Sequence, residues 1–383
     1  MMSLPFEIPP VSSGESSLSP FTPSFGTIPP LLADRQGYIN DFAYALDSGP
    51  GAMGRATLVT GQRGMGKSVM LKVFREVAAS RQWVAVHSDA GPGFLRRLAE
   101  SRIPEAFDDL DITTKTKTRL SGVNLPFGAG GVSTTTEPTH PIVQDFEHQV
   151  IAILSLLETH GTGLLITLDE VHHAQLSELR ELTGTIAAAF SDGLPVAFAA
   201  AGLPSTINSL VNDEISTYLR RSARVELGNL SRDGVRRGLL APIEDNGKTI
   251  GETALKLAVE GTGQYPYLVQ LIGDQAWRNA SDRSELTEQD VAKAVRRSRS
   301  LMFDQVHGPA FAELSERERE FMDAMSRDDS DSALRDIADR MGISSKHAGV
   351  FRIRLLAQGV IEAPARGRLR YAIPFSRDYY RQR

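Results

Sequence analysis

Residues Gly61-Gln62-Arg63-Gly64-Met65-Gly66-Lys67-Ser68 form a complete G-x-x-x-x-G-K-[ST] phosphate-binding loop. Its flanks supply the context that such a loop requires. Ala56–Thr60 is a short β-branched apolar run, and Val69–Val77 is apolar at helical spacing. Strand, glycine loop and helix in that order constrain the chain to an α/β fold. The glycines let backbone N–H groups turn inward around a phosphate, and the helix N-terminus beginning near Val69 adds partial positive charge. Lys67 is expected to reach the β- and γ-phosphates of a nucleotide, and the Ser68 hydroxyl to bind Mg²⁺.

A second motif lies downstream. Gly163–Leu168 is a nearly continuous apolar run, and it ends in Asp169-Glu170. Such a run suits a strand buried on both faces of a parallel sheet. Asp169 then falls at the carboxyl end of the strand, where open α/β sheets bind ligands. Its expected role is to hold Mg²⁺ through water, and that of Glu170 is to act as general base on the attacking water. His172 and His173 follow and read as polar loop residues. With no ligand partners nearby in sequence, they do not make a metal site.

The 383 residues are enough for two or three domains, and the net charge of −5 argues against a non-specific polyanion binder. The absence of cysteine excludes disulfides, thiol catalysis and zinc fingers, and it fits a reducing cytoplasm. No apolar run approaches a membrane span, and the N-terminus lacks a signal pattern, so no membrane partner is expected.

Composition and periodicity divide the chain into four parts. Residues 1–30, rich in Pro and Ser, read as an extended arm. Residues 31–230 alternate strands with helices and predict a doubly wound parallel sheet: a helix over 31–48, strands over 83–88, 194–202 and 224–227, and helices over 94–107, 142–159 and 176–190. The strand bearing Asp169 need not neighbour the phosphate-loop strand. Residues 112–138, rich in Thr, Lys, Gly and Ser, read as a β-hairpin or loop insertion. Residues 231–306 are purely helical in pattern, with segments over 231–240, 251–260, 266–280 and 287–303, and form an α-helical lid. Residues 307–383 predict helices over 315–325, 332–341 and 346–358, then short strands over 361–363 and 369–373. That order is a winged helix-turn-helix.

Charge in this last part points to double-stranded DNA. From Lys346 onward, Lys346, Arg352, Arg354, Arg366, Arg368, Arg370, Arg377, Arg381 and Arg383 face only Glu362 and Asp378. The positive charge falls on the third helix and the wing. Ser345, Lys346, Arg352, Arg366 and Arg368 are the candidate contacts, with Ser344 and His347 beside them at the helix start.

With both motifs, the helical lid and the C-terminal winged helix in this order, residues 24–383 resemble the AAA+/STAND-type P-loop ATPases. Within them the chain is similar to the bacterial and archaeal ATPases grouped with origin-recognition initiators. The strings that carry this are Phe25–Pro30, Ala201-Gly202-Leu203-Pro204, Gly261–Tyr267 and Gly367–Pro374. The resemblance implies ATP/ADP with Mg²⁺ held by residues 61–69, a lid contributing Tyr265 and Pro266, and an arginine finger that works between subunits of a homo-oligomer. Arg221 is the first candidate for the finger and Arg220 the second. Two departures from the pattern stand out. Ala199-Ala200-Ala201 offer no polar sensor at the end of the fourth strand, unless Ser205 or Thr206 substitutes. Gln264-Tyr265-Pro266 replaces the lid arginine, close to a STAND Gly-x-Pro with Gln264 in the glycine position. The implied function is a slow, regulatory ATPase whose nucleotide state controls DNA binding. The alternative is a STAND-like signalling or defence switch whose winged helix serves protein contacts.

Overall fold

The computed structural model describes residues 18–24, 26–108, 146–212 and 219–382. The insertion at 112–138, the first 17 residues and Phe25 lie outside the described residues. Two compact units emerge. One is drawn from Arg35–Gly228 and Asp328–Ile373, the other from Met1–Asp34, Asn229–Arg327 and Pro374–Arg383.

The first unit is built on five parallel strands. In chain order it runs α1 (Gln36–Asp47), β1 (Ala56–Gly61), α2 (Lys67–Ala79), β2 (Val84–Asp89), α3 (Phe146–Thr159), β3 (Leu164–Asp169), α4 (Leu176–Ser191), β4 (Val196–Gly202), α5 (Pro204–Asn212) and β5 (Ala223–Leu227). The spatial order is β2-β3-β4-β1-β5. One strand, β4, therefore separates the phosphate-loop strand from the Asp169 strand. Every residue of β3 and β4 is buried, as expected for strands covered on both faces. The stretch expected as helix over 94–107 is helical over 94–108, with a π-helical segment, Leu98–Arg102, between the α-helical pieces Phe94–Arg97 and Ile103–Asp108. Helix α5 is an addition that the sequence pattern does not announce; Pro204 fits its first turn, where no N–H is needed.

The second unit is mostly helical. It holds α6 (Arg232–Asp245), α7 (Glu252–Thr262), α8 (Pro266–Asn279), α9 (Glu288–Met302) and α10 (Glu316–Ser326), with β6 (Thr249–Ile250) and β7 (Glu285–Leu286) pairing in parallel. Helix α6 runs past the expected stop at Leu240, because Pro242 is buried within it. Packing on that face outweighs a lost backbone bond that costs about 3 kcal/mol. The capping box of Thr287 and Asp290 starts α9, and that of Ser315 and Glu318 starts α10.

The remaining C-terminal elements fall on both units. Helices α11 (Leu334–Met341) and α12 (Ser345–Ala357) flank a turn at Gly342, whose φ is 64°. Ser332–Ala333, expected as helix, is a strand, β8. It pairs antiparallel with β10 (Arg368–Tyr371), which also pairs with β9 (Ile361–Ala365). A last helix, α13 (Ser376–Arg381), belongs to the helical unit, where the Arg299–Asp378 ion pair ties it to α9.

The N-terminal arm docks on α8. A Cβ on Gly273 would sit 2.4 Å from the Phe21 ring, so only glycine allows that contact, and Thr22 N–H donates to Gln270 Oε1 at 3.1 Å. Gly273→Ala is expected to destabilise the protein by about 1–2 kcal/mol, overpacking outweighing the better helix propensity. In a Phe21→Ala background the same change should stabilise by up to about 1 kcal/mol. Denaturant titrations of the four proteins check this, and the same sign in both backgrounds contradicts the contact.

Candidate nucleotide site

The phosphate loop leaves β1 at Gly61 and enters α2 at Lys67. Gly61 has no room for a side chain, because a Cβ would lie 2.6 Å from the Leu227 carbonyl oxygen on β5. Gly64 and Gly66 take left-handed φ values of 76° and 89°, which turn the backbone into the loop. Gly66 is the N-cap of α2, and Met65 is buried beneath the loop. Lys67 is buried, 7% exposed, with Nζ donating to the Gln62 carbonyl at 3.2 Å. Burial lowers the ammonium pKa, while Glu170 and then Asp169 pull it back up. Ser68 is exposed at the start of the helix.

Asp169 and Glu170 come to the same carboxyl edge from β3. Asp169 is only 4% exposed, and its Oδ1 accepts the Glu170 N–H at 2.8 Å. It has no ion pair among the described residues, although a buried carboxylate is costly without a cation. Together with the Ser68 hydroxyl, this fits Mg²⁺ held by few protein oxygens plus phosphates. Among the described residues no cluster of three or more His, Asp or Glu would hold a metal by itself. Glu170 adopts φ 51°, a strained backbone for a non-glycine residue, of the kind concentrated at functional sites.

The structure brings Gly61–Val69, Asp169 and Glu170 together in one unit. Arg75, which the sequence does not single out, also lies here. It is on α2 and donates to Thr167 Oγ1 at 3.4 Å, and the same oxygen meets His87 Nδ1 at 3.1 Å. An arginine within a helix reads as surface, and only the sheet register reveals it under β3. At the end of β4 the three alanines are buried, and the substitute Ser205 is engaged: its Oγ donates to the Ala357 carbonyl of α12 at 3.2 Å. Arg220 Nε donates to the Val211 carbonyl at 3.0 Å, whereas Arg221 is exposed with no side-chain partner among the described residues.

Tyr265 and Pro266 belong to the helical unit. Tyr265 is buried and N-caps α8, and Pro266 takes its first position. Gln264 adopts φ 64°, so the residue standing at the glycine position of the Gly-x-Pro pattern keeps a glycine-like backbone. Of the DNA candidates, Ser345, Lys346, Arg366 and Arg368 are exposed and Arg352 is half-buried. Lys346, Arg352, Arg354 and Arg366 make no side-chain hydrogen bond or ion pair among the described residues, while Arg368 donates to the Asp331 carbonyl at 3.4 Å. Arg370 is committed to Asp331 through two bonds of 3.0 Å, a partner that lies outside the stretch in which positive charge dominates.

Residues 32–198 match the AAA ATPase domain family. This segment holds the phosphate loop and the Asp169-Glu170 pair, and it is similar to an AAA ATPase domain. Residues 304–380 match a second family, described as a domain of unknown function, DUF8462. No curated protein matches the chain. The Walker-type ATPase PABY2304 of Pyrococcus abyssi is a similar solved structure, with a TM-score of 0.62 and 17% identity over 91% of this chain and 96% of that one. The ORC2 protein of Aeropyrum pernix, solved in ADPNP–ADP complexes, gives a TM-score of 0.60 and 16% identity over 94% of this chain and 96% of its own. Identities this low show the fold alone, and it is the parallel-sheet P-loop fold that the motifs suggest. Among the described residues no helix is long and apolar enough to cross a membrane.

His172 is expected to make the stability of its unit sensitive to acid. Burial, then His173, Arg63 and Lys67, push its imidazole down to about 4, against 6.5 when unperturbed. As pH falls the unfolded chain takes up this proton first. The contribution to stability is therefore complete above about pH 6.5 and is lost as pH falls through about 4. His172→Asn should lose melting temperature less steeply across that window than the wild type, and equal slopes would count against the buried neutral imidazole.

Proposed function

We propose that the chain is an ATP-hydrolysing, Mg²⁺-dependent switch of the cytoplasm whose nucleotide state controls a C-terminal DNA-binding winged helix. The observation that carries the enzymatic part is the convergence of a buried lysine, an inward-turned glycine loop and two strand-end carboxylates at one sheet edge. Lys67 and the loop N–H groups hold the phosphates of ATP. Ser68 and Asp169 would hold Mg²⁺, which when bound neutralises phosphate charge. Glu170 takes a proton from water as the water oxygen bonds to the γ-phosphorus. The bond to the β–γ bridging oxygen breaks, and ADP and inorganic phosphate leave. Tyr265 and Pro266, at the start of α8, would read the nucleotide from the lid.

Arg221 supports action between copies. The register pairs Thr57 with Ala223 and Gly61 with Leu227, so β5 begins four residues, about 13 Å, from the phosphate-loop edge. Arg221 precedes that start and sits at the opposite edge from its own loop. As a finger it would serve the nucleotide of a neighbouring copy in a homo-oligomer.

For DNA, the support is the helix, strand, helix, turn, helix and hairpin order, with Lys346, Arg352 and Arg366 on α12 and the wing unpaired among the described residues. Ser345 opens α12, and Arg368 lies on β10 of the wing. Glu170→Gln protein is expected to bind ATP at near wild-type affinity and to hydrolyse it at least about 100-fold more slowly. Duplex binding by that protein, with ATP or ADP across a salt series, should be salt-sensitive and nucleotide-dependent. Lys346→Ala with Arg366→Ala should lower the logarithmic salt slope by about two. Salt-independent or absent duplex binding in every nucleotide state rejects the DNA part.

One contact favours a second reading, a STAND-like signalling or defence switch in which the winged helix serves protein contacts. Gly359, φ 68°, follows α12, and a Cβ there would come within 2.9 Å of both Gln62 Oε1 in the phosphate loop and Leu203 Cδ2. With the Ser205–Ala357 bond, this places the end of α12 on the sensor side of the nucleotide loop. On this reading the protein copurifies with ADP, and Gly359→Ala speeds ADP release and promotes nucleotide-dependent assembly. Unchanged ADP release in that variant discards this reading.

A further inference from the structure

Backbone geometry delivers His172 to the catalytic edge of β3. The left-handed turn at Glu170 reverses the chain, and a 3₁₀ turn over Val171–His173 follows, closed by His173 N–H donating to the Glu170 carbonyl at 2.9 Å. Val171 is buried because Gly202 makes room for it: a Cβ at Gly202 would lie 2.5 Å from Val171 Cγ2. With Val171 so anchored, the next side chain is held over the site. The His172 side chain is 17% exposed, and its Nδ1 lies 3.2 Å from Glu170 Oε2. That approach is not aligned as a hydrogen bond, and the buried Nδ1 has no other partner among the described residues.

A buried polar nitrogen without a partner costs about 1–3 kcal/mol, so a packing role alone would be better filled by an apolar side chain. The low imidazole pKa keeps the ring neutral near pH 7, with one nitrogen carrying a proton and the other a lone pair. A neutral ring can donate to a carboxylate without forming a permanent ion pair that would quench its basicity. At 3.2 Å the two atoms are already within hydrogen-bond distance, so realignment alone would complete the bond.

We propose that His172 is a positioning residue for hydrolysis: with nucleotide bound, its Nδ1–H donates to Oε2 of Glu170 and leaves Oε1 to meet the attacking water. This rests on Glu170 being the general base. His172 touches neither nucleotide nor water; it restricts the rotamer of the group that does. A misdirected base of this kind costs up to about 100-fold in rate.

The test uses full-length wild type, His172→Ala, His172→Asn and Glu170→Gln. Each is assayed for single-turnover ATP hydrolysis, KM, affinity for a non-hydrolysable ATP analogue and melting temperature. His172→Ala is expected to lower the hydrolysis rate about 10- to 100-fold, with analogue affinity within about twofold of wild type. His172→Asn, whose amide N–H stands near the place of Nδ1–H, should recover most of the rate. Nitrogen-15 spectra of the analogue complex, assigned by difference from His172→Asn, should show the Nδ1–H tautomer. Wild-type rate in His172→Ala, equal loss in both variants, or an Nε2–H tautomer overturns the proposal while Glu170 keeps its role. Wild-type hydrolysis by Glu170→Gln overturns the assignment of the base, and this proposal with it.

Discussion

Burying the Lys67 ammonium at the edge of an apolar sheet is the constraint from which the rest of the site follows. A lone buried cation is expensive, and here desolvation does weaken its hold on the proton. Two things offset that cost. The loop turns a carbonyl, that of Gln62, toward the ammonium. A second strand, β3, brings Asp169 and Glu170 to the same edge. Those carboxylates are far away in sequence, so the parallel sheet is what brings the opposite charges to one edge. Its burial on both faces fixes the register that sets their height.

Four glycines mark close approaches, three of them in the unit that holds the site and Gly273 in the helical unit. Gly61 lets β5 lie against the loop, Gly202 lets Val171 sit under the Glu170 turn, Gly273 admits Phe21, and Gly359 admits the phosphate-loop glutamine. Each is a close approach that a single methyl would block. Rigid contacts of this kind transmit small displacements, because packed interiors resist compression. A change at the nucleotide loop therefore has a short mechanical path to the end of α12, and none of the four contacts depends on charge or salt.

The C-terminal elements divide their charges between structure and solvent. Arg370 is absorbed by Asp331 and Arg340 by Asp328, which braces β10 and α11 from within. Lys346, Arg352, Arg354 and Arg366 make no such bond among the described residues. On the same helix α12, Val350 and Ile353 stay exposed, with Ile353 at 65%. A helix that keeps both apolar and basic groups in solvent forgoes burial energy, which suits a surface held ready for a partner.

The local chemistry was legible in the sequence. The phosphate loop, the apolar strands, the Asp169-Glu170 pair and the helix starts at Ser231, Thr287, Ser315 and Ser344 are set by near neighbours, so pattern alone identifies them. Features that depend on distant partners were not legible. Ser332–Ala333 looks helical until β10 pairs with it, and Pro242 looks like a stop until its face is buried. Arg220 and Arg221 are neighbours in sequence, yet one is tied to a carbonyl and the other has no side-chain partner among the described residues. The sequence by itself determined which chemistry this chain can hold, because glycine conformation, lysine charge and strand periodicity are short-range properties. Only the tertiary structure decided which groups meet, placing His172 against Glu170 and Gly359 against Gln62, because close packing is a property of surfaces brought together from far apart in the chain.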